Sequence, residues 1–128
     1  MFATNQELEK INAYFKDFVI ENRYCYSFDT VLEENIKKII DKTQPTFHKS
    51  WDELTTLMLI IEEVYNVKSI ITEKNYYRFE FQNNKRIQDK GSTKIDALFS
   101  CCYRTLEKYW KTEAPYFNRG VEPFDLDD

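Results

Sequence analysis

The side chains most able to perform nucleophilic or metal-assisted chemistry in this sequence are a single histidine and three cysteines. His48 is the only histidine, and Cys25, Cys101 and Cys102 show neither the CxxC nor the HxxxH spacing of metal sites. An enzyme with a Cys-His pair would need a pocket that holds Cys25 or Cys101 beside His48, and no local signature supports one. The sequence therefore predicts no catalytic residue, no metal and no cofactor, and keeps a Cys-His enzyme as an alternative.

The cysteines have a simpler interpretation as reduced thiols of a cytoplasmic protein, because their number is odd and their spacing forms no disulfide framework. Cys102 falls on the apolar stripe of a predicted helix, so we expect it in the core. Cys101 lies about 100° further round that helix and is expected at the periphery. The chain has only 2 glycines, which excludes the glycine-rich loops that cradle phosphates in nucleotide-binding folds.

A group of basic and aromatic residues could bind single-stranded nucleic acid by charge and stacking. The formal net charge of -4 and the pI near 5.1 lack the basic field of a general phosphate-backbone binder. The same charges could instead belong to a solvated loop that protects a sheet edge. Nucleic acid is therefore disfavoured as a partner, and a single-stranded nucleic-acid or RNA binder is kept as an alternative. The residues concerned are Lys85, Arg86, Lys90, Lys94, Tyr76 and Tyr77.

The C-terminal segment 113–128 combines aromatic residues with five acids against one base, so the net charge of the chain is concentrated there. Such a composition either docks on its own domain or presents an interaction segment to a partner. Tyr116, Phe117 and Phe124 are the residues that we expect to make these contacts.

Signals for the start of a helix occur four times. A Ser or Thr followed three residues later by an acid forms a capping box, in which the two side chains satisfy each other's backbone N–H groups. Each box precedes apolar residues at helical spacing. The predicted helices span residues 5–21, run from Thr30 to before Pro45, begin after Ser50, and run from Thr93 to residue 112. Trp51 and Trp110 lie beside the apolar stripes and are expected to be structural.

Two segments rich in β-branched and aromatic residues, 67–72 and 76–82, predict a β-hairpin whose second strand has one apolar face. Residues 83–92 are polar and predict a loop. Residues 23–28 alternate in polarity, which leaves open a short third strand or an aromatic linker. A lone hairpin is marginal in water, so the sequence also favours a homodimer that pairs the hairpins of two copies.

Two further segments, FHKSWDELTTLMLIIEEV at 47–64 and TKIDALFSCCYRTLEKYW at 93–110, lie on either side of the hairpin. Their Ser-Trp-acid opening at Ser50 and Thr-Lys-Ile-acid-Ala opening at Thr93 resemble the phage ABA sandwich family, small proteins of gut bacteria and their phages. The resemblance implies helices covering a small sheet and a phage or mobile-element origin. It implies no catalytic residue and no cofactor.

These patterns predict an α+β fold with an α-β-β-α sandwich-like core, a small antiparallel sheet and extra N-terminal helices. We expect one domain over residues 1–112, followed by the acidic aromatic tail at 113–128. The chain shows no signal pattern and no apolar stretch of the roughly 20 residues that cross a bilayer, so we expect a cytoplasmic protein with no membrane partner. The predicted function is a small non-catalytic protein-interaction or regulatory factor, of a phage or mobile-element accessory type, whose protein partner is unidentified.

Overall fold

Four helices and one three-stranded antiparallel sheet make up residues 4–110, the part of the chain that the computed structural model describes. This architecture confirms the predicted α+β fold. No helix in this range is long and apolar enough to cross a membrane. The elements are α1 (Asn5–Arg23), α2 (Thr30–Asp41), α3 (Trp51–Val64), β1 (Val67–Glu73), β2 (Tyr76–Phe81), β3 (Arg86–Lys90) and α4 (Lys94–Tyr109).

The helices begin at polar caps, as the sequence predicts. The side chains of Thr4, Ser50 and Thr93 each accept a backbone N–H from the first turn of α1, α3 and α4, at 3.2, 3.2 and 3.1 Å. For α2 the predicted cap is wrong by one residue. Asp29 precedes Thr30 and accepts the N–H at 2.8 Å, so Thr30 is the first helical residue.

The segment 23–28 forms no strand, so the first of its two predicted alternatives, a short third strand, is wrong. Helix α1 continues to Arg23, and the carbonyl of Asn22 then accepts the backbone N–H groups of Cys25 and Tyr26 at 3.1 Å each. Tyr24 is 79% exposed. Residues 24–27 are all exposed, so the alternating polarity of this turn does not mark a buried face.

The third strand lies in a segment that the sequence predicts to be a loop. Within residues 83–92, β3 pairs antiparallel with β2, from Arg86 opposite Glu80 to Lys90 opposite Tyr76. Of its inward-facing side chains, Ile87 is apolar and Asp89 is a buried carboxylate. Because a carboxylate occupies one inward-facing position, β3 lacks the alternation of apolar and polar residues that identifies a strand in a sequence. The prediction of a loop is wrong.

This third strand also removes the reason for expecting a homodimer. The hairpin was expected to need further strand pairing, either from residues 23–28 or from a second copy. Because β3 completes a three-stranded sheet in the order β1-β2-β3 within one chain, neither source is required.

Helix α4 forms the central layer of the core. Its residues 97–106 are all buried, and it packs against β2 and β3 on one side and α3 on another. The aromatic side chains of β2 face it, as predicted, and its Phe99 ring lies 5.3 Å from that of Phe15 in α1. The sheet, α4 and the remaining helices thus stack in that order around one core.

The two tryptophans differ in their surroundings. The Trp110 ring lies 5.2 Å from Phe18 and 5.1 Å from Tyr14, so it closes the end of the core as expected. Trp51, the first residue of α3, is 43% exposed. Of the two tryptophans, only Trp110 has the packed surroundings expected of a structural residue.

Candidate interaction surface

The face of the sheet opposite α4 is a continuous polar surface, and no helix of residues 4–110 covers it. The strand register fixes its composition, because alternate residues of each strand point to the same side. We call this surface the outer sheet face. Its members are Ser69, Ile71, Glu73, Tyr76, Arg78, Glu80, Arg86, Gln88 and Lys90.

Side-chain hydrogen bonds across the strands order the outer sheet face. Between β1 and β2 the Ser69 hydroxyl donates to Glu80 at 2.9 Å, and within β2 an ion pair places Arg78 Nε 3.2 Å from the other Glu80 oxygen. On the neighbouring pair, the Tyr76 hydroxyl donates to Gln88 Oε1 at 2.7 Å. Half-exposed contacts of this kind add little to stability, but they hold the groups in a fixed arrangement.

The basic residues predicted as a group lie along one side of this surface. Arg86 and Lys90 project from β3, and Lys85 lies in the turn just before it. Lys94 is the first residue of α4, beyond the end of the strand. The structure adds Arg78 at the centre of the face, which alternation along β2 could have identified from the sequence.

The two tyrosines of the predicted group point in opposite directions. Tyr76 lies on the outer sheet face, whereas Tyr77 is 5% exposed and faces α4. Burial raises the pKa of the Tyr77 hydroxyl. Tyr77 is therefore part of the core and cannot stack on a base.

Charge is distributed unevenly between the sheet and the helices. Residues 67–94 contain seven Lys or Arg against three Asp or Glu, a formal net charge of +4. Residues 5–66 contain seven Lys or Arg against twelve Asp or Glu, a formal net charge of -5. On the outer sheet face itself, Arg78, Arg86 and Lys90 stand against Glu73 and Glu80, a formal net charge of +1.

A buried polar network beneath the sheet holds β3 on α4. The Ser100 hydroxyl donates to the Asp89 carboxylate, and Arg104 Nη1 lies 3.6 Å from the same carboxylate. The second Asp89 oxygen accepts the backbone N–H of Lys90 at 2.8 Å. Because β3 carries Arg86 and Lys90 outward, this network also positions the basic side of the outer sheet face.

The thiols and the histidine do not form a nucleophile pair. Cys101 and Cys102 are both fully buried, so the expectation of a peripheral Cys101 is wrong. Cys101 Sγ lies 3.2 Å from the Tyr77 carbonyl, while His48 contacts Asn12 and the ring of Phe99. Residues 4–110 also contain no group of His, Cys, Asp or Glu that could hold a metal ion.

We expect the three thiols to react at very different rates. Burial raises the pKa of the Cys101 thiol and of the Cys102 thiol, which lowers their thiolate fraction at neutral pH. Cys25 lies exposed in the turn after α1. Titration with a maleimide at neutral pH should label Cys25 alone in the folded protein and all three cysteines in urea. The Cys25→Ser variant is the control, and rapid labelling of that folded variant would contradict the assignment.

The interpretation of this surface rests on its geometry, because no family model, no curated protein and no solved structure matches the chain. The resemblance to the phage ABA sandwich family thus remains a prediction that rests on residues 47–64 and 93–110. The predicted contact residues Tyr116, Phe117 and Phe124 lie outside the described residues.

Proposed function

We propose that this protein is a small non-catalytic interaction factor that binds an acidic protein partner through its outer sheet face. The observation that carries the proposal is the segment 67–94, which has a net charge of +4 in a chain of net charge -4 and places Arg78, Arg86 and Lys90 on the outer sheet face. Complementary charge accelerates association and selects among partners. From the odd number of unpatterned cysteines we assign the factor to the cytoplasm, and from the sequence resemblance we assign it a phage or mobile-element accessory role.

The composition of the face favours a protein over a nucleic acid. Glu73 and Glu80 lie on the same surface as Arg78, Arg86 and Lys90, so the face carries both signs of charge and lacks the uniform basic field of a phosphate-backbone binder. Tyr76 is its single aromatic ring, and its hydroxyl is already bonded to Gln88. Single-strand binders instead present several aromatic rings along a positive groove. Arginine and tyrosine among mixed polar groups are typical of protein interfaces.

The test is a charge reversal on the basic side of the face. The Lys85→Glu, Arg86→Glu, Lys90→Glu triple variant should keep its thermal melt, because none of these side chains is buried. Affinity capture from extracts of the native host, treated with nuclease, should retain acidic proteins with wild type. We expect the variant to retain at least tenfold less of them, since each lost charge pair weakens both steering and contact.

A matched triple reversal on the helical side provides the control. Lys37, Lys38 and Lys49 are exposed, and changing them to Glu alters the net charge by the same amount. Equal loss in this control would indicate a general charge effect and contradict the assigned face. Capture that disappears after nuclease treatment, with salt-dependent binding of a single-stranded RNA oligonucleotide, would replace the proposal with the nucleic-acid alternative.

A further inference from the structure

The edge of the sheet formed by β3 has unpaired backbone groups. The Phe81 N–H donates to the Lys85 carbonyl at 2.8 Å, which is the first hydrogen-bonded pair between β2 and β3. Because bonded and non-bonded pairs alternate along an antiparallel ladder, the N–H and C=O groups of Arg86 and Gln88 point away from β2. Among the elements of residues 4–110, β3 packs only against β2 and α4, so these groups have no backbone partner there.

This edge is also the basic edge of the sheet. Its one acid, Asp89, faces α4, where it pairs with Arg104 and accepts the Lys90 N–H. The acids of the outer sheet face, Glu73 and Glu80, belong to β1 and β2, so a segment beyond β3 lies closer to the bases than to them. The bases on β3 or close to it in the chain are Lys85, Arg86, Lys90 and Lys94.

The opposite edge, formed by β1, differs in charge and in regularity. By the same alternation, β1 presents backbone groups outward at Ile70 and Thr72. Its ladder is irregular at Lys68, and its exposed charges, Lys68 and Glu73, cancel. Bulges and edge lysines are features by which proteins prevent a further strand from pairing. An acidic segment is therefore expected at β3 and not at β1.

The geometry of the β3 edge defines the segment that fits it. Neighbouring strands lie about 4.8 Å apart, so alternate side chains of an added strand lie beside Arg86, Gln88 and Lys90 on the outer sheet face. The other side chains lie on the inner side, beside Ile87. An extended segment with acids at alternate positions and apolar residues between them matches both sides of β3.

We propose that the acidic partner contributes such a segment, which binds in extended conformation along β3 and adds a fourth strand to the sheet. Main-chain hydrogen bonds with Arg86 and Gln88 hold the segment, and contacts of its acids with Arg86 and Lys90 select it. This inference rests on the proposed function and specifies which part of the partner the outer sheet face recognises.

The proposal is tested by hydrogen exchange of the ¹⁵N-labelled full chain, followed by NMR, with an acetylated peptide of alternating Glu and Val as the probe. At saturation, the Arg86 and Gln88 N–H groups should exchange at least about tenfold more slowly, and those of Ile70 and Thr72 should not change. The matched probe has the same sequence with methyl groups on its backbone nitrogens, so it keeps the charge but donates no N–H. Equal protection by both peptides, or protection by neither, overturns the proposal.

Two proline variants compare the two edges without changing the charge. Proline is tolerated at an edge position whose N–H points outward, so Gln88→Pro and Thr72→Pro should both keep a cooperative thermal melt. Gln88→Pro should bind the Glu-Val peptide at least about tenfold more weakly, and Thr72→Pro should bind it like wild type. Equal binding by the two variants contradicts the assigned edge. If either variant unfolds, the exchange measurement on the unaltered chain decides.

The same variants separate this inference from the proposed function. If the charge-reversed triple variant loses the captured acidic proteins while Gln88→Pro retains them, the acidic partner stands and strand addition is overturned. Slow exchange of Arg86 and Gln88 before any peptide is added also overturns it. In that case, dependence on protein concentration assigns the edge to a second copy, and independence assigns it to residues 113–128 of the same chain.

Discussion

Replacing Asp89 with alanine is expected to lower the free energy of unfolding by about 3 kcal/mol or more, because the buried Arg104 guanidinium loses the carboxylate that faces it. Asp89 and Arg104 are 5% and 3% exposed, so water cannot replace the lost partner. The Ser100 hydroxyl loses its acceptor as well. Urea denaturation followed by circular dichroism measures the change.

Glu73→Ala is the matched control, because it removes an exposed carboxylate from the same sheet and should change stability by less than about 0.5 kcal/mol. A second variant, Asp89→Asn, keeps the shape and an acceptor but removes the charge, and should fall between the two. If Asp89→Ala is no less stable than Glu73→Ala, the network does not hold β3 on α4.

Phe15→Ala is expected to cost about 4 kcal/mol, since removal of a buried aromatic ring loses its transfer free energy and leaves a cavity. Phe15 is fully buried on α1, and its ring lies 5.3 Å from Phe99 of α4 and 5.6 Å from Phe47. It therefore joins three segments of the chain in one aromatic cluster. The expected result is a large shift of the urea midpoint with an unchanged slope.

The comparison variant for this prediction is Tyr24→Ala. Tyr24 is 79% exposed, so removing its ring tests the loss of an aromatic side chain without loss of packing. We expect a change within about 0.5 kcal/mol. A loss below about 1 kcal/mol for Phe15→Ala would show that the cluster does not anchor α1 to α4.

The helices could be predicted because their signals are local. A cap and a 3.6-residue period lie within one segment, and at Thr4, Ser50 and Thr93 the predicted cap is the observed one. β3 could not be predicted, because its pairing with β2 and the burial of Asp89 depend on α4. The burial of Cys101 has a similar origin: a helix enclosed on all sides has no peripheral position.

The candidate surface was predicted only in part. Arg86 and Lys90 were grouped by their closeness in sequence, but the face that they share with Arg78 depends on the strand pairing. Tyr77 was included in the basic and aromatic group although its i, i+2 spacing from Phe79 puts both on the predicted apolar face of β2.

The central position of α4 has a consequence for synthesis of the protein on the ribosome. Chains grow from the N-terminus, so α1, α2, α3 and all three strands emerge before the helix that they enclose. Until α4 follows, the inward-facing rings of β2 have no cover on their apolar side. The nascent chain thus passes through a stage in which it can aggregate or recruit a chaperone, and a chain that stops before Lys94 should remain in that state.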